Sequence, residues 1–318
     1  MIKILLTGSS GFVGNALLNT LVKSSEYDIK SVYRILPSIL NKNIDYIQID
    51  SIDSKTNWKK YLEGIDMVVH LAGRVHLMND SAKSPLDEFR HVNTEGTLNL
   101  AKKAAIAGVK RFIFISTIKV LGEQTAPGQA FKSGDSFNPQ DPYSISKVEA
   151  EVGLKLIGEA HGMEIVIIRP PLVFGQGVKG NFTSLLKLTR LPIPLPFGSI
   201  QNKRSLVSVE NLIDLIVVCL THPKAKNQTF LVSDDDDMDT SELISRLAEA
   251  GGYKAYIFGF PLTMLYILLQ LLGKLPIYDR LCGSMQVNIE YTKSQLNWNP
   301  PFKVNDSLSN CWLSDSHH

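Results

Sequence analysis

The segment Thr7-Gly8-Ser9-Ser10-Gly11-Phe12-Val13-Gly14 constrains this chain more than any other. It follows a short apolar run, residues 2–6, and opens a helical pattern over residues 12–23, so it reads as strand, glycine-rich turn and helix. A Cβ at such a turn would keep a pyrophosphate from the backbone N–H groups at the positive end of the helix. Gly8, Gly11 and Gly14, with Ser10, Phe12 and Val13 between them, are therefore candidate dinucleotide contacts; a tight structural turn is the alternative reading. The spacing differs from G-x-G-x-x-G, and it is the strand–turn–helix context that gives it weight.

The same alternation continues along the first half. Strands are expected at 29–33, 46–49, 67–71, 111–116 and 164–169, with helices over 89–108 and 143–161. Parallel strands joined by helices make an α/β fold, a Rossmann-type doubly wound parallel sheet. After Pro170-Pro171 the pattern changes to a proline-rich loop, a helix near 209–220, a strand at 229–232, and helices following Thr240 and Pro261. The expected division is a dinucleotide-binding domain over 1–170 and a smaller, interleaved substrate-binding lobe over 171–318.

Composition narrows the partners. A formal charge of +2 over 318 residues provides no basic footprint for nucleic acid. Cys219, Cys282 and Cys311 match neither a disulfide framework nor a zinc site, and the run Asp234 to Asp237 reads as a solvated loop, so no metal is expected. A reducing cytoplasm fits, and the glycine turn comes too early for a cleavable signal peptide. Residues 255–273 carry no charge. A helix starting near Pro261 would run about a dozen residues, short of the roughly 20 that span a bilayer. The first expectation for it is a buried or dimer-facing helix; the second is a peripheral membrane contact through residues 261–272.

The end of the second strand, Val32-Tyr33-Arg34, bears on cofactor choice. A carboxylate there would bind a ribose 2′-hydroxyl, whereas an arginine accommodates a 2′-phosphate. The expectation is NADP(H) over NAD(H), with Arg34 at the phosphate, unless Arg34 is simply an exposed residue. Asp50 either accepts from the adenine amine or caps local structure. Leu71, Ala72 and Gly73 leave the fourth strand with small residues where a dinucleotide would lie against the backbone.

Tyr143 and Lys147 lie four apart on one face of a helix that starts after Asp141-Pro142. A neighbouring ammonium favours phenolate and would pull the tyrosine towards working pH, so that it can exchange a proton with a hydroxyl or carbonyl. Thr117, ending the preceding strand, adds a hydroxyl for the reacting oxygen; an exposed helix pair is the alternative.

The motifs TGSSGFVG (7–14), HLAG (70–73), NTEGTLNL (93–100), FISTIKVLGE (114–123), YSISK (143–147), RPPLVFGQG (169–177) and KRSLVSVENL (203–212) resemble those of extended short-chain dehydrogenases/reductases of the UDP-glucose 4-epimerase type. The resemblance runs over essentially the whole chain. It implies that Thr117, Tyr143 and Lys147 are the catalytic triad, that Asn93 shapes the helix beside the site, and that Pro170 belongs with the cofactor contacts. It also implies a UDP-sugar substrate, with Asn181, Arg204 and Arg280 at or near its diphosphate, and a homodimer. Dehydratases of this type carry an Asp-Glu pair after the catalytic Ser/Thr, where this chain has Ile118-Lys119. Epimerases usually carry the acidic strand-end residue that is missing here. Taken with the likeness of STIKVLGE, RPPLVFGQGVKGN and RLCGSMQV to reductases of bacterial polysaccharide biosynthesis, the expectation is NADPH-dependent reduction of a UDP-4-keto-6-deoxy-N-acetylhexosamine at C4. A UDP-sugar 4-epimerase is the nearest alternative, and a non-catalytic NADPH-binding assembly partner a more distant one. Arg74 and Lys119 are candidate substrate contacts, although Lys119 could equally face solvent; His76 lacks an identifiable partner.

Overall fold

A computed structural model of the chain describes residues 1–74 and 84–313. His76 and the terminal His317 and His318 lie outside the described residues. In chain order the elements are β1 (Ile2–Thr7), α1 (Phe12–Leu21), β2 (Tyr27–Tyr33), β3 (Ile44–Gln48), β4 (Met67–His70), α2 (Pro85–Phe89), α3 (Thr97–Ile106), β5 (Arg111–Ile115), α4 (Pro142–His161) and β6 (Glu164–Arg169). The remainder are β7 (Leu172–Phe174), α5 (Asn181–Thr189), β8 (Pro194–Leu195), β9 (Leu206–Ser208), α6 (Val209–Thr221), β10 (Thr229–Leu231), α7 (Thr240–Ala250), β11 (Tyr256–Ile257), α8 (Leu262–Leu271), α9 (Leu275–Cys282), α10 (Glu290–Leu296) and α11 (Val304–Asn310).

The large sheet has seven parallel strands in the order β10-β6-β5-β4-β1-β2-β3, the doubly wound topology expected from the sequence. Its central strands are near-continuous apolar runs because both faces are covered. Ile4 and Leu6 face one core with Val69 and Ile168, while Leu5 faces the other with Val68 and Phe112. Strand periodicity of two sorts them. β10 comes from beyond residue 170 yet pairs with β6, and α6 packs beside α1, so the later part of the chain returns to complete the first sheet. The pairs β7–β9 and β8–β11 and a third apolar cluster around Phe174, Phe182 and Leu247 lie apart from that sheet.

Sequence boundaries hold where cap chemistry is strong. Asp141 accepts from the Ser144 N–H at 2.6 Å, the Asp141 N–H donates to Ser144 Oγ at 3.1 Å, Pro142 opens α4, and Gly162 closes it at φ +70°. Two expectations need correction. The single helix over 89–108 is three pieces, α2, a π-helical stretch Arg90–Gly96, and α3. The 261–272 helix is not buried in this chain: Leu265 alone is buried in α8. Among the described residues no helix is long and apolar enough to cross a membrane.

The acidic run is a solvated loop only in part, with Asp235 exposed and Asp236 and Asp237 half-buried. Asp234 is buried and accepts from Ser208 N–H at 2.9 Å and Asn211 Nδ2 at 2.7 Å, with burial pushing its carboxyl up to about 6. Asp235 pairs with Lys293 and Asp236 with Arg246, and Asp237 accepts from Gln286. Tertiary partners spread from Ser208 to Lys293 could not be seen in a local charge pattern. No metal-holding cluster of His, Cys, Asp or Glu occurs among the described residues.

Candidate active site

The strand order reverses between β1 and β4, and the two sequence-predicted turns meet there. A Cβ on Gly8, at φ +81°, would lie 2.6 Å from Ala72 N, and one on Gly14 would lie 2.1 Å from Gly8 O. The Gly11 N–H donates to Gly8 O at 2.9 Å, and Gly11 starts α1 with no side-chain cap. The first-turn N–H groups of Phe12 and Val13 therefore sit at an open, positive helix end beside Ser10. From β4, Leu71 N–H donates to Thr7 O at 3.2 Å and Ala72 N–H to Thr7 Oγ1 at 3.4 Å. This cradle of bare backbone at a topological switch point fits a dinucleotide pyrophosphate. Replacing Gly14 by Ala should destabilise the fold by about 1–3 kcal/mol, since backbone must move to admit the methyl group; urea unfolding measures it, and an unchanged midpoint would contradict the close approach.

Arg34 is exposed immediately after β2, where its carbonyl accepts from Gln48 Nε2 at 3.2 Å, and Asp50 is exposed after β3. Neither has a contact that fixes a nucleotide role.

Behind the cradle, buried His70 bridges two threonines, with Nδ1 2.7 Å from Thr7 Oγ1 and Nε2 2.9 Å from Thr97 Oγ1. Burial first, then the nearby Lys147 charge, depress its pKa from 6.5 to about 3. The unfolded chain thus binds a proton between those values that the folded chain refuses, so this stabilisation is complete above pH 6.5 and is lost as pH falls towards 3. The melting temperature of the native sequence is expected to fall more steeply from pH 7 to about 4 than that of His70→Gln; equal slopes would refute the assignment.

Asn93 lies in the π-helical stretch, a geometry that redirects a helical side chain inward. Its Oδ1 accepts from Arg74 N–H at 2.8 Å, and its Nδ2 donates to Arg74 O and Ser146 Oγ, both at 3.1 Å. A Cβ on Gly73 would lie 3.1 Å from Asn93 Oδ1 and 3.6 Å from Lys147 Nζ, so the three residues surround one point. Lys147 Nζ donates to Ile115 O at 2.9 Å and lies 4.3 Å from the Phe114 ring centroid. Thr117 caps the short turn Ile118–Val120 by accepting from Lys119 N–H at 3.3 Å, and α4 packs on that turn. Pro170 O accepts from Ile118 N–H at 2.9 Å, tying the ends of β5 and β6 together.

The expected pull on Tyr143 is reversed. Its ring packs edge-on against Phe89 at 5.9 Å, and burial, with the Asp141 charge behind it, raises the phenol to about 12. Burial lowers Lys147 to about 8, and its ammonium is engaged by Ile115 O. Their spacing of four puts the pair on one face of α4, but burial is the largest influence on each. At neutral pH the Tyr143 phenol keeps its proton.

The substrate-side candidates are less gathered. Lys119 Nζ pairs with Asp141 Oδ2 at 2.8 Å and Glu123 Oε1 at 3.0 Å rather than facing solvent alone. Arg74 stands 3.6 Å from Glu88 and over the Phe89 ring. Arg204 is mostly buried and its Nη1 donates to Arg280 O at 2.8 Å, while Arg280 itself is exposed on α9. Asn181 is the first residue of α5. Sequence reasoning missed Glu151, one turn beyond Lys147: wholly buried, it is forked by Arg169 at 2.6 and 3.0 Å and accepts from Ser116 Oγ at 2.5 Å. A carboxylate on the core face of α4 was the available signal.

The family model described as "Epimerase: NAD dependent epimerase/dehydratase family" matches residues 4–233. The chain belongs to this family. Among its relatives, a protein named UDP-glucose 4-epimerase from Vibrio cholerae is 49% identical over 94% of this chain and 90% of its own. A second, N-acetyl-alpha-D-glucosaminyl-diphospho-ditrans,octacis-undecaprenol 4-epimerase from Escherichia coli O157:H7, is 28% identical over 82% of this chain and 77% of its own. The fold of this epimerase/dehydratase-family chain is similar to the crystal structure of UDP-glucuronic acid 4-epimerase from Bacillus cereus in complex with UDP-glucuronic acid and NAD, with a TM-score of 0.78, 21% identity and 98% of each chain covered.

Proposed function

We propose that this protein is a UDP-sugar 4-epimerase working with a bound nicotinamide dinucleotide. The 49% identity to the Vibrio cholerae protein, over nearly the full length of both chains, carries the reading. The glycine cradle and the Asn93–Gly73–Lys147 junction fit it. Bound there, the dinucleotide supplies a reversible store for one hydride.

The chain's own residues supply the proton chemistry. Tyr143 exchanges a proton with O4 of the sugar, giving it up as the carbonyl is reduced and taking it as the alcohol is oxidised. Its high resting pKa suits the first direction; the second needs positive charge beside the phenol, and Lys147 is the cation available on that face. Thr117 donates a hydrogen bond to the same oxygen. Ile118 and Lys119 offer no acid–base pair for eliminating water, since Ile118 is buried and Lys119 is ion-paired. The homodimer belongs to this proposal, with Val152 and Leu156 exposed on α4 and Ile106 beyond them on α3 as its apolar face.

Net reduction of a UDP-4-keto sugar is the second reading, favoured by one observation: Arg34, and no carboxylate, directly follows β2. One experiment separates the two. The purified protein is denatured to identify any dinucleotide it retains, and the native enzyme is given UDP-glucose or UDP-galactose without added reductant. Interconversion supports epimerisation; no interconversion, with NADPH oxidised only when a UDP-4-keto sugar is added, replaces it with reduction.

A further inference from the structure

Helix α8, LTMLYILLQL, is apolar on nearly every side and buries only Leu265. Met264, Ile267, Leu268 and Leu272 are each about half exposed, and Leu271 is 81% exposed. Tyr266 meets Tyr278 of α9 edge-on at 5.3 Å, so α8 and α9 pack together as a hairpin. We propose that this hairpin docks the protein on an anionic lipid bilayer, with α8 lying in the headgroup–acyl boundary.

Three observations favour a bilayer over a protein partner. A second copy or a folded partner covers one face of a helix, whereas α8 exposes apolar side chains on nearly every side, which a fluid apolar medium can envelop. Residues 255–273 are uncharged and are bounded by exposed Lys254 and Lys274, a spacing that puts cations at both ends of the apolar stretch, where anionic headgroups would meet them. Tyr253, Tyr256 and Tyr266 are exposed around it, the amphipathic residue type that settles at a membrane–water interface. Ten residues of helix span only about 15 Å, so α8 lies in the plane and does not cross.

The hairpin is also fastened to the candidate site. Arg204 Nη1 donates to Arg280 O and, at 3.0 Å, to Gly283 O, while Thr125 N–H donates to Ser284 O at 2.9 Å. Docking through α8 would therefore hold the loop that follows Lys119 near the headgroups. The inference does not depend on which UDP-sugar reaction the site performs.

The test is flotation of the full chain with vesicles of phosphatidylethanolamine and phosphatidylglycerol, and in parallel with phosphatidylcholine alone. Binding to the anionic vesicles, weakened by salt, is expected. Ile267→Glu/Leu271→Glu should lower partition by ~10-fold or more, from the apolar area lost to the bilayer. Lys254→Glu/Lys274→Glu should abolish the preference for anionic lipid. UDP-hexose interconversion in lipid-free solution, measured on each variant, should be unchanged, which separates folding and the catalytic reading from docking. The proposal is overturned if the chain fails to float with either vesicle, or floats equally well as the double glutamate variant. It is likewise overturned if α8 instead drives a concentration-dependent rise in mass that this variant abolishes.

Discussion

Tyr143→Phe should lower kcat for UDP-hexose interconversion by ~10³-fold while leaving KM within a few-fold, because one positioned proton donor and acceptor is removed and little else. The ring that packs on Phe89 is retained, so the melting temperature should stay close to that of the native protein. Steady-state kinetics and thermal unfolding on the same preparation check both halves. A variant with near-native kcat would remove Tyr143 from the chemistry and with it the proton-transfer scheme. The high phenol pKa adds a sign: the group must be deprotonated in the oxidative direction, so kcat should rise with pH through the neutral and mildly alkaline range.

Arg169→Met should destabilise the protein by about 3–5 kcal/mol, because it strands Glu151 as an unpaired charge in the core. Arg169 holds Glu151 through its Nε and Nη2, and no water-facing route compensates for its loss, since both side chains are buried. Replacing both, Arg169→Met with Glu151→Leu, should recover most of that loss, as apolar pairs of similar volume often equal buried ion pairs. Urea unfolding of the single and double variants gives the coupling. If the single variant lost under about 1 kcal/mol, the pair would be relaxed by water and its structural role refuted.

The fold was legible in the sequence because local chemistry and global architecture agree. Buried parallel strands write themselves as apolar runs such as Ile4-Leu5-Leu6 and Ile165-Val166-Ile167-Ile168, and Asp141-Pro142 marks the start of α4. The π-helical stretch at Arg90–Gly96 was not legible: its residues fit an ordinary helix, and only the bonds of Asn93 to Arg74 and Ser146 reveal what the wider turn is for. The short helices α9, α10 and α11 were missed for a related reason, as seven or eight residues hold too few periods for a pattern to show.

The candidate site divides in the same way. Glycine positions, the Tyr143–Lys147 spacing and Thr117 at a strand end are contiguous signals, and sequence alone determined them, together with the sheet and the family they belong to. Charge states and partners are long-range quantities that only the tertiary structure decided. Folding set Tyr143 high and Lys147 low by taking both from water, and it gave Lys119 to Asp141. It buried Asp234 beneath Ser208 and Asn211, and it left α8 largely uncovered, where composition had left a buried or dimer-facing helix and a membrane-surface contact both open. Desolvation and pairing depend on what packs within a few ångströms, and those neighbours lie tens to hundreds of residues away along the chain.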